Sequence, residues 1–363
     1  MNIPIYQPYL EGNANKYVNE CLESGWISSK GKFVKKFEEA FSTFLGGGFS
    51  TSVSNGTCAL HLALLALGIK EGDEVLVPAL TYIASVNCIK YIGAKPVLVE
   101  VDKDTWNIDT SKIEAKITKN TKAILAVHLY GALCNTDNLK EISNLHNLYL
   151  IEDAAEAFGS KYKSQYAGTF SDIATFSFFG NKTITTGEGG MVYSQNKNLI
   201  DKAAYLKNQA VSPSIEYWHE MIGYNYRMTN IQAAIGLSQL ELAEIILNKK
   251  RKIYQSYKNN LTGLPISFQL ESEETSHSFW MVVIIMNNEN IKDKMKDYLS
   301  NEGIETRRIF HPINSLPPYK DNEIYDISNA ISQRGLCLPS HPNLTNNEVE
   351  YISSKIRKFF AYH

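Results

Sequence analysis

The stretch FSFFGNKTITTGEGG occupies residues 176–190 and contains a single lysine, Lys182. The apolar run 173–179 that leads into the turn is typical of a strand buried on both faces of a sheet. Gly180 and Asn181 then predict a tight turn, and the glycines that follow permit unusual backbone angles. A lysine in a partly buried polar pocket can lose its proton and act as a nucleophile or base. Since most lysines are solvated surface charges, this stretch alone leaves both interpretations open.

Apolar runs alternate with helical patterns on both sides of this stretch. The runs are continuous, which indicates strands that are covered on both faces. Alternation of such strands with helices predicts a mostly parallel α/β sheet. The predicted strands are 74–77, 96–101, 123–129, 148–152, 173–179 and 191–194. The predicted helices are 59–67, 82–91 and 137–145, the last with Asp137 as its candidate N-cap.

The pattern changes near Asn225, where long helical patterns begin. A charged helical segment starts at Lys249, and shorter α+β signals follow it. We therefore predict two domains, with an N-terminal segment and a large domain in residues 1–250 and a small α+β domain in residues 251–363. The later elements are predicted as helices at 228–247, 291–301 and 347–360 and a strand at 280–286.

The composition argues against several classes of protein. The chain has 363 residues, and its 36 basic and 38 acidic side chains give a formal net charge of -2. No basic block stands out, so nothing indicates nucleic-acid binding. The five cysteines form no C-x-x-C pair and the eight histidines show no metal-ligand spacing, so we expect free thiols and no metal. With no basic and apolar leader and no apolar segment long enough for a bilayer, we expect a cytoplasmic protein.

Two further segments carry candidate chemistry. SNGT, residues 54–57, precedes the predicted helix 59–67. Small polar residues at a helix N-terminus present free N–H groups that bind anions such as phosphate, although an ordinary N-cap uses the same residue types. In LYLIEDAAEAFG, residues 148–159, a buried strand runs into Asp153, at the kind of strand end where parallel sheets bind ligands. Asp153 alone is equally well explained as a cap for the following turn.

Together, the three segments meet the needs of one cofactor, pyridoxal 5'-phosphate. The polar residues 54–57 would anchor the phosphate, and Lys182 would form a Schiff base. Asp153 would keep the pyridine nitrogen protonated, so that the ring can withdraw electrons. The combination therefore favours a pocketed Lys182 over a solvated one.

Longer motifs extend this interpretation to a family. The nucleotide-sugar aminotransferases of the DegT/DnrJ/EryC family have motifs that resemble SNGTCALHLALLALG, EGDEVLVPALTYIAS, IEDAAEAFGS, FSFFGNKTITTGEGGMV and GYNYRMTNIQAAIGLSQL. The resemblance runs from WISSKGKFVKKFEEAF near the N-terminus to RGLCLPSHPNLT. It implies a fold type I PLP-dependent transferase, with a mostly parallel seven-stranded sheet flanked by helices and a smaller α+β C-terminal domain.

The resemblance also implies roles for individual residues. Lys182 would attach the cofactor, and Asp153 would pair with its pyridinium nitrogen. Glu156 would lie beside the ring hydroxyl, and Tyr82 would stack on the ring. Asn225 would reach the phosphate from the neighbouring subunit, which implies a homodimer with shared active sites and allows a tetramer. The remaining implied contacts are Gly56, Thr57 and Ser177 to the phosphate, and His311 and Arg334 to the sugar nucleotide.

The likeness within the family also suggests a substrate. WISSKG, LTYIASVN and the IFHPINSLPPY segment resemble members that aminate C4 of GDP-4-keto-6-deoxy-D-mannose with L-glutamate, for O-antigen synthesis. A dTDP- or UDP-linked keto sugar stays open, since the catalytic core would look the same. The family's sugar dehydratases carry histidine in place of Lys182, which disfavours that activity. A non-catalytic binding protein is also disfavoured, because the lysine, the acid and the phosphate site are all intact.

Overall fold

The computed structural model describes residues 2–272 and 274–362 of the chain. No helix in these residues combines the length and apolar character needed to span a membrane. Their α-helices are α1 Ala14–Ser24, α2 Lys32–Phe44, α3 Gly56–Leu67, α4 Ala84–Tyr91, α5 Thr136–Leu145, α6 Lys197–Lys207, α7 Asn230–Glu241, α8 Ala243–Asn260, α9 Lys292–Asn301, α10 Asp326–Arg334 and α11 Asn346–Tyr362. Their strands are β1 Phe49–Val53, β2 Glu74–Pro78, β3 Lys95–Val99, β4 Thr121–Val127, β5 Tyr149–Asp153, β6 Lys161–Tyr162, β7 Gln165–Tyr166, β8 Ile173–Ser177, β9 Gly190–Ser194, β10 Ile266–Phe268, β11 Thr275–Ser276, β12 Val282–Met286, β13 Arg307–Arg308 and β14 Gly335–Leu338.

Seven of these strands form the central sheet, in the order β1-β9-β8-β5-β4-β2-β3. β3, β2, β4, β5 and β8 pair in parallel, and β9 runs antiparallel to both of its neighbours. The predicted mostly parallel seven-stranded sheet is confirmed. β8 ends two residues earlier than the apolar run suggests, because its ladder with β9 closes at the pair Ser177–Gly190 and the chain then turns.

Apolar side chains of β8 alternate between the two faces of the sheet. Ile173 belongs to a core that includes Leu64 and most of the buried face of α3. Phe176 belongs to a second core on the other face, where Phe41 of α2 lies edge-on to it at 4.9 Å between ring centroids. Helices therefore cover both faces, which confirms the α/β class and explains why the strands are continuous apolar runs.

Two local predictions are wrong. The pattern 228–247 is two helices, α7 and α8, which meet at Leu242 with φ −100° and ψ 5°. The Leu242 N–H bonds to the carbonyls of Gln239 and Leu240 instead of the carbonyl four residues back, so α7 ends there. At the start of α5, the cap is Asn135 and not Asp137, because the Asn135 side chain accepts the N–H of Asn138.

The C-terminal part of the chain forms the smaller α+β region that the sequence predicts. Its antiparallel sheet has the order β10-β12-β14-β13, and α8, α9 and α11 share an apolar core with it. Ile3 from the N-terminal segment joins this core and bridges to Ile304. The predicted division after residue 250 falls inside α8, which continues across it as one helix. The division into two domains therefore stays a prediction.

Candidate active site

A cavity of about 690 Å³ opens at the carboxyl ends of the central strands. Val127, Asp153 and Ser177 line it from the last residues of β4, β5 and β8. Parallel sheets bind ligands at this edge, because the loops that follow their strands meet there. Trp280 and Arg307 complete the wall from the C-terminal part of the chain. The cavity is of a size that suits a small-molecule ligand.

Lys182 lines this cavity and is not a solvated charge, since its side chain is only 13% exposed. The backbone N–H of Lys182 donates to the Phe179 carbonyl at 2.9 Å, which closes the turn after β8. The Nζ atom lies 3.7 Å from Glu156 Oε1 and 3.8 Å from the centroid of the Trp280 ring. Burial lowers the pKa of Lys182, although the carboxylates of Glu156 and Asp153 oppose that shift. The amine is therefore closer to its neutral, nucleophilic form than a surface lysine.

Asp153 is the last residue of β5, and two hydrogen bonds hold its carboxylate. Ser85 Oγ donates to Oδ2 at 2.7 Å, and the Ala155 N–H donates to Oδ1 at 3.1 Å. Burial raises the pKa of Asp153 despite these two donors. The hydrogen bond from Ala155 shows that Asp153 caps the following turn, which is one of the two roles that the sequence allowed. The same carboxylate also lines the cavity. Asp153 is therefore placed to cap the turn and to face a ligand.

Glu156 is a second buried carboxylate, one turn beyond Asp153. Its Oε2 atom accepts the Tyr130 N–H at 2.7 Å, which leaves Oε1 facing Lys182. Burial raises the pKa of Glu156 to about 7, while the charge of Lys182 opposes the rise. Glu156 can therefore gain or lose a proton near neutral pH, 3.7 Å from the Lys182 amine.

The polar residues 54–57 form the N-terminus of α3. Asn55 is the N-cap, and its Oδ1 atom accepts the Cys58 N–H at 2.9 Å. The capping interpretation is thus correct, but Gly56 and Thr57 also line the cavity. A Cβ atom on Gly56 would lie 2.8 Å from the Cβ atom of Ser177, so glycine lets α3 approach β8 this closely. An anion in this corner would face the N–H groups of the first helical turn.

The structure brings some of the predicted site residues together and leaves others apart. Asn225 is exposed outside the cavity, where it accepts a hydrogen bond from Arg227 at 2.6 Å. His311 is exposed too, next to Phe310, which does line the cavity. Arg334 lies in the last turn of α10, where its Nε donates to a carbonyl of the same helix, and it lines a separate cavity. The structure therefore does not bring Arg334 to this site. The predicted residues that do line the cavity are Gly56, Thr57, Tyr82, Asp153, Glu156, Ser177 and Lys182.

Several cavity residues escaped the sequence analysis. The Tyr130 ring stacks on both Trp280 and Phe310, with 5.8 and 5.4 Å between ring centroids. Arg307 and Arg308 add positive charge from β13, the edge strand of the small sheet. The two consecutive arginines directly before the IFHPINSLPPY segment are the one signal that could have revealed them. The aromatic residues carry no such signal, because their role depends on contacts across the fold.

The sequence pattern of the DegT/DnrJ/EryC1/StrS aminotransferase family matches residues 8–357. The chain belongs to this family. Among its relatives, the GDP-perosamine synthase of Escherichia coli O157:H7 is 51% identical over 360 residues, and the GDP-perosamine synthase of Vibrio cholerae is 47% identical over 363 residues. Both matches cover 99% of each chain. A solved structure of Helicobacter pylori PseC, an aminotransferase involved in the biosynthesis of pseudoaminic acid, matches with a TM-score of 0.95 at 26% identity and full coverage of both chains.

Membership of this family makes the chain an aminotransferase of fold type I that uses pyridoxal 5'-phosphate. The residues of the cavity fit that cofactor. The corner between Gly56 and Ser177, which a Cβ atom at position 56 would fill, suits a phosphate group at a helix N-terminus. Asp153 offers a buried carboxylate for a ring nitrogen, and Lys182 offers a largely shielded amine, with a side chain 13% exposed, within the same space.

Proposed function

We propose that this chain transfers the amino group of L-glutamate to the C4 ketone of GDP-4-keto-6-deoxy-D-mannose. The products are GDP-perosamine, which is GDP-4-amino-4,6-dideoxy-D-mannose, and 2-oxoglutarate. The observation that carries the proposal is the identity of 51% and 47%, over 99% of the chain, to two proteins named GDP-perosamine synthase. The cavity supports it independently, because it gathers an amine, three carboxylates and two guanidinium groups around one space.

The residues that would hold the cofactor lie at the strand ends. The first turn of α3, with Gly56 and Thr57, and the Ser177 hydroxyl would bind the phosphate. Asp153 would accept a hydrogen bond from the protonated ring nitrogen. Tyr82, which is 56% exposed at the cavity wall, would cover one face of the ring. When bound, pyridoxal 5'-phosphate supplies the electron sink that lets an amino group pass between an amino acid and a ketone.

Lys182 would move the proton that this exchange requires. Because burial lowers the pKa of Lys182, a larger share of the amine is neutral and able to take a proton from carbon. Glu156 Oε1, 3.7 Å from the amine, would hold it in position, and a pKa of about 7 would let this carboxyl share the proton. The Trp280 indole would exclude water from the other side of the amine.

Arg307 supports an anionic substrate at the same cavity. Arg308 is paired with Asp293 at 2.8 Å, whereas the contact between Arg307 and Glu305 is longer, at 3.6 Å. Guanidinium groups recognise phosphate oxygens through parallel hydrogen bonds. We therefore assign Arg307 to the diphosphate of the sugar nucleotide, and we keep the neighbouring His311 as a proposed sugar-nucleotide contact.

We also propose a homodimer with shared active sites. Between residues 215 and 222 the chain carries a patch of exposed apolar side chains. Exposed apolar patches mark interaction surfaces in proteins. Asn225 comes three residues after the end of the patch, so burial of the patch against a second copy would bring Asn225 close to that copy. This supports the proposed contact between Asn225 and the cofactor phosphate of the partner. The patch consists of Ile215, Tyr217, Trp218, Met221 and Ile222, of which Tyr217 is 85% and Ile222 84% exposed.

We further propose that the chain acts in the cytoplasm and serves the synthesis of O-antigen or another surface polysaccharide. All five cysteines are unpaired and four of them are buried, as is usual in a reducing compartment. The role in polysaccharide synthesis follows from the proposed product, since a nucleotide-linked sugar is an activated donor for glycosyl transfer.

An amination assay tests the proposal. The chain, loaded with pyridoxal 5'-phosphate, is incubated with L-glutamate and GDP-4-keto-6-deoxy-D-mannose, and the sugar nucleotides are analysed by mass spectrometry. We expect the GDP-4-amino sugar and 2-oxoglutarate in equal amounts. A Lys182→Ala variant should lose turnover and the visible absorbance of the bound cofactor, whereas Lys252→Ala, at an exposed lysine, should keep both. Failure of the wild-type chain to aminate the sugar, or normal turnover by Lys182→Ala, would overturn the proposal.

A further inference from the structure

Lys250, in the middle of α8, is a lysine that is almost completely buried, with 1% of its surface exposed. In the part of the chain that the structure describes, its ammonium group forms no ion pair with a carboxylate. Instead, Nζ donates to the carbonyl oxygens of Trp280 at 3.1 Å and Ser340 at 2.7 Å. Burying a cation in this way is costly, so its position calls for an explanation beyond surface charge.

The two carbonyls flank neighbouring strands of the small sheet. Trp280 comes just before β12, and Ser340 comes just after β14, which pairs with β12. Ser340 Oγ also accepts the Val282 N–H at 2.8 Å, so the two strand ends are joined to each other as well. Lys250 thereby ties α8 to the point where both strands approach the cavity.

Trp280 connects Lys250 to the active site. Its Nε1 donates to the Asn181 carbonyl at 2.7 Å, and its ring centroid lies 3.8 Å from the Nζ atom of Lys182. The backbone of Trp280 is therefore fixed by Lys250, and its indole by the residue that precedes Lys182. The π-face of an indole attracts an ammonium group placed over it.

A second contact path joins the same two lysines. The Nζ atom of Lys250 lies 5.8 Å from the centroid of the Tyr6 ring. The hydroxyl of Tyr6 donates a hydrogen bond to the carbonyl oxygen of Lys182. Both the backbone and the amine of Lys182 are thus held by groups that contact Lys250.

We propose that Lys250 is a positioning residue for Lys182, which fixes the Trp280 carbonyl and so keeps the indole face against the Lys182 amine. The inference rests on the proposed role of Lys182 as the cofactor-binding lysine. The other charged groups that face this amine are the carboxylates of Glu156 and Asp153, and neither contacts Lys250. The titratable groups that face Lys250 itself are Tyr6, His277 and His341, which stay the same in every variant below.

The test reads the reactivity of Lys182 directly, in the full chain without cofactor. Trace acetic anhydride labels neutral amines, and mass spectrometry of the Lys182 peptide gives the pH midpoint of its labelling. Trp280→Leu keeps the surroundings apolar but removes the π-face that favours the ammonium form, so the midpoint should fall. Lys250→Met leaves the Trp280 ring in place but allows it to move, so the midpoint of Lys182 labelling should fall by less than in Trp280→Leu. Lys252→Met, at an exposed lysine of the same helix, should leave the midpoint unchanged.

Turnover of the loaded enzyme provides the second readout. Lys250→Met should lower kcat by about tenfold, because a small displacement of a catalytic group is enough to slow a reaction strongly. KM for both substrates should change much less. A folded Lys250→Met variant with the wild-type midpoint would overturn the proposal. If Lys250→Met does not fold, an unchanged midpoint in Trp280→Leu overturns it equally. The labelling experiment uses no sugar nucleotide and is therefore independent of the amination assay. If only the proposed function fails, no GDP-4-amino sugar forms but the labelling midpoints still shift as described.

Discussion

At the scale of single residues, Asp153 shows what a local motif can and cannot predict. The acid follows a buried strand in the sequence, so its place at the strand end is predictable. Its strongest partner is Ser85, which lies 68 residues earlier, at the start of α4. Nothing around Ser85 signals that contact, because only the folding of the sheet brings α4 over the end of β5. The ionisation of Asp153 therefore depends on a donor that its own motif does not contain.

This dependence leads to a prediction about pH. Burial raises the pKa of Asp153, and the hydrogen bond from Ser85 opposes the rise. Ser85→Ala removes a donor to the charged form, so the pKa should rise further and the acid limb of kcat should move to higher pH. On that limb, kcat should fall by about tenfold, since a hydrogen bond to a charged group contributes roughly 1.5–3 kcal/mol. Ser354→Ala, at the surface, is the control in a steady-state pH profile, and an unmoved acid limb would refute this role of Ser85.

The two arginines provide a second prediction at this scale. Arg307 lines the cavity, whereas Arg334, which the family resemblance suggested, does not. Arg307→Gln should raise KM for the sugar nucleotide about tenfold or more, because it removes a charge-assisted hydrogen bond. KM for L-glutamate should change little. Arg334→Gln should leave both constants as they are, and the opposite ranking in steady-state kinetics would favour the assignment from the sequence.

At the scale of helices and strands, the sequence predicts most of the large sheet because its strands are buried on both faces. A continuous apolar run such as 173–179 marks the strand, and only its last two residues fall outside β8. The end of α7 at Leu242 is different, since no glycine or proline interrupts QLELAEI and the apolar pattern continues through it. Helix ends that depend on packing rather than on a breaker residue leave no mark in a single sequence.

The contact between α3 and β8 can be tested through Gly56. A methyl group at position 56 would lie 2.8 Å from the Cβ atom of Ser177, so Gly56→Ala should push the helix N-terminus out of the phosphate corner. Overpacking of this kind costs roughly 1–3 kcal/mol, which corresponds to a loss of cofactor affinity of about fivefold or more. Gly180→Ala is the control, because its Cβ would have 3.8 Å to the nearest atom. Equal cofactor affinity for both variants, in a titration followed by absorbance, would argue against this corner as the phosphate site.

At the scale of the whole molecule, the active site lies where distant parts of the chain meet. Trp280 contacts a residue 99 positions earlier, and Tyr6 contacts one 176 positions later. Such pairs are fixed by the packing of the small sheet and the N-terminal segment against the large sheet. The motifs therefore predict the strand-end half of the cavity, and the aromatic wall that Trp280 and Phe310 form becomes visible only in the fold.

The proposed dimer gives a prediction that separates one-subunit from two-subunit sites. Lys182→Ala and Asn225→Ala should each be nearly inactive alone. When the two variants are co-expressed with different tags and purified as mixed dimers, one site per dimer should combine the wild-type Lys182 of one subunit with the wild-type Asn225 of the other. Activity should therefore return to roughly half of the wild-type level if the sites of a dimer work independently. No recovery in mixed dimers would place Asn225 within its own subunit's site or outside catalysis.

The identity of the nucleotide sugar is best decided by comparing three keto sugars that differ in the nucleotide. With L-glutamate as the amino donor, kcat/KM is measured separately for three acceptors. These are GDP-4-keto-6-deoxy-D-mannose, a dTDP-4-keto-6-deoxy sugar and a UDP-4-keto-6-deoxy sugar. We predict a kcat/KM at least about a hundredfold higher for the GDP sugar, because a site built to hydrogen-bond one base leaves its polar groups unpaired with another. A clear preference for the dTDP- or UDP-linked sugar would show that GDP-4-keto-6-deoxy-D-mannose is not the substrate.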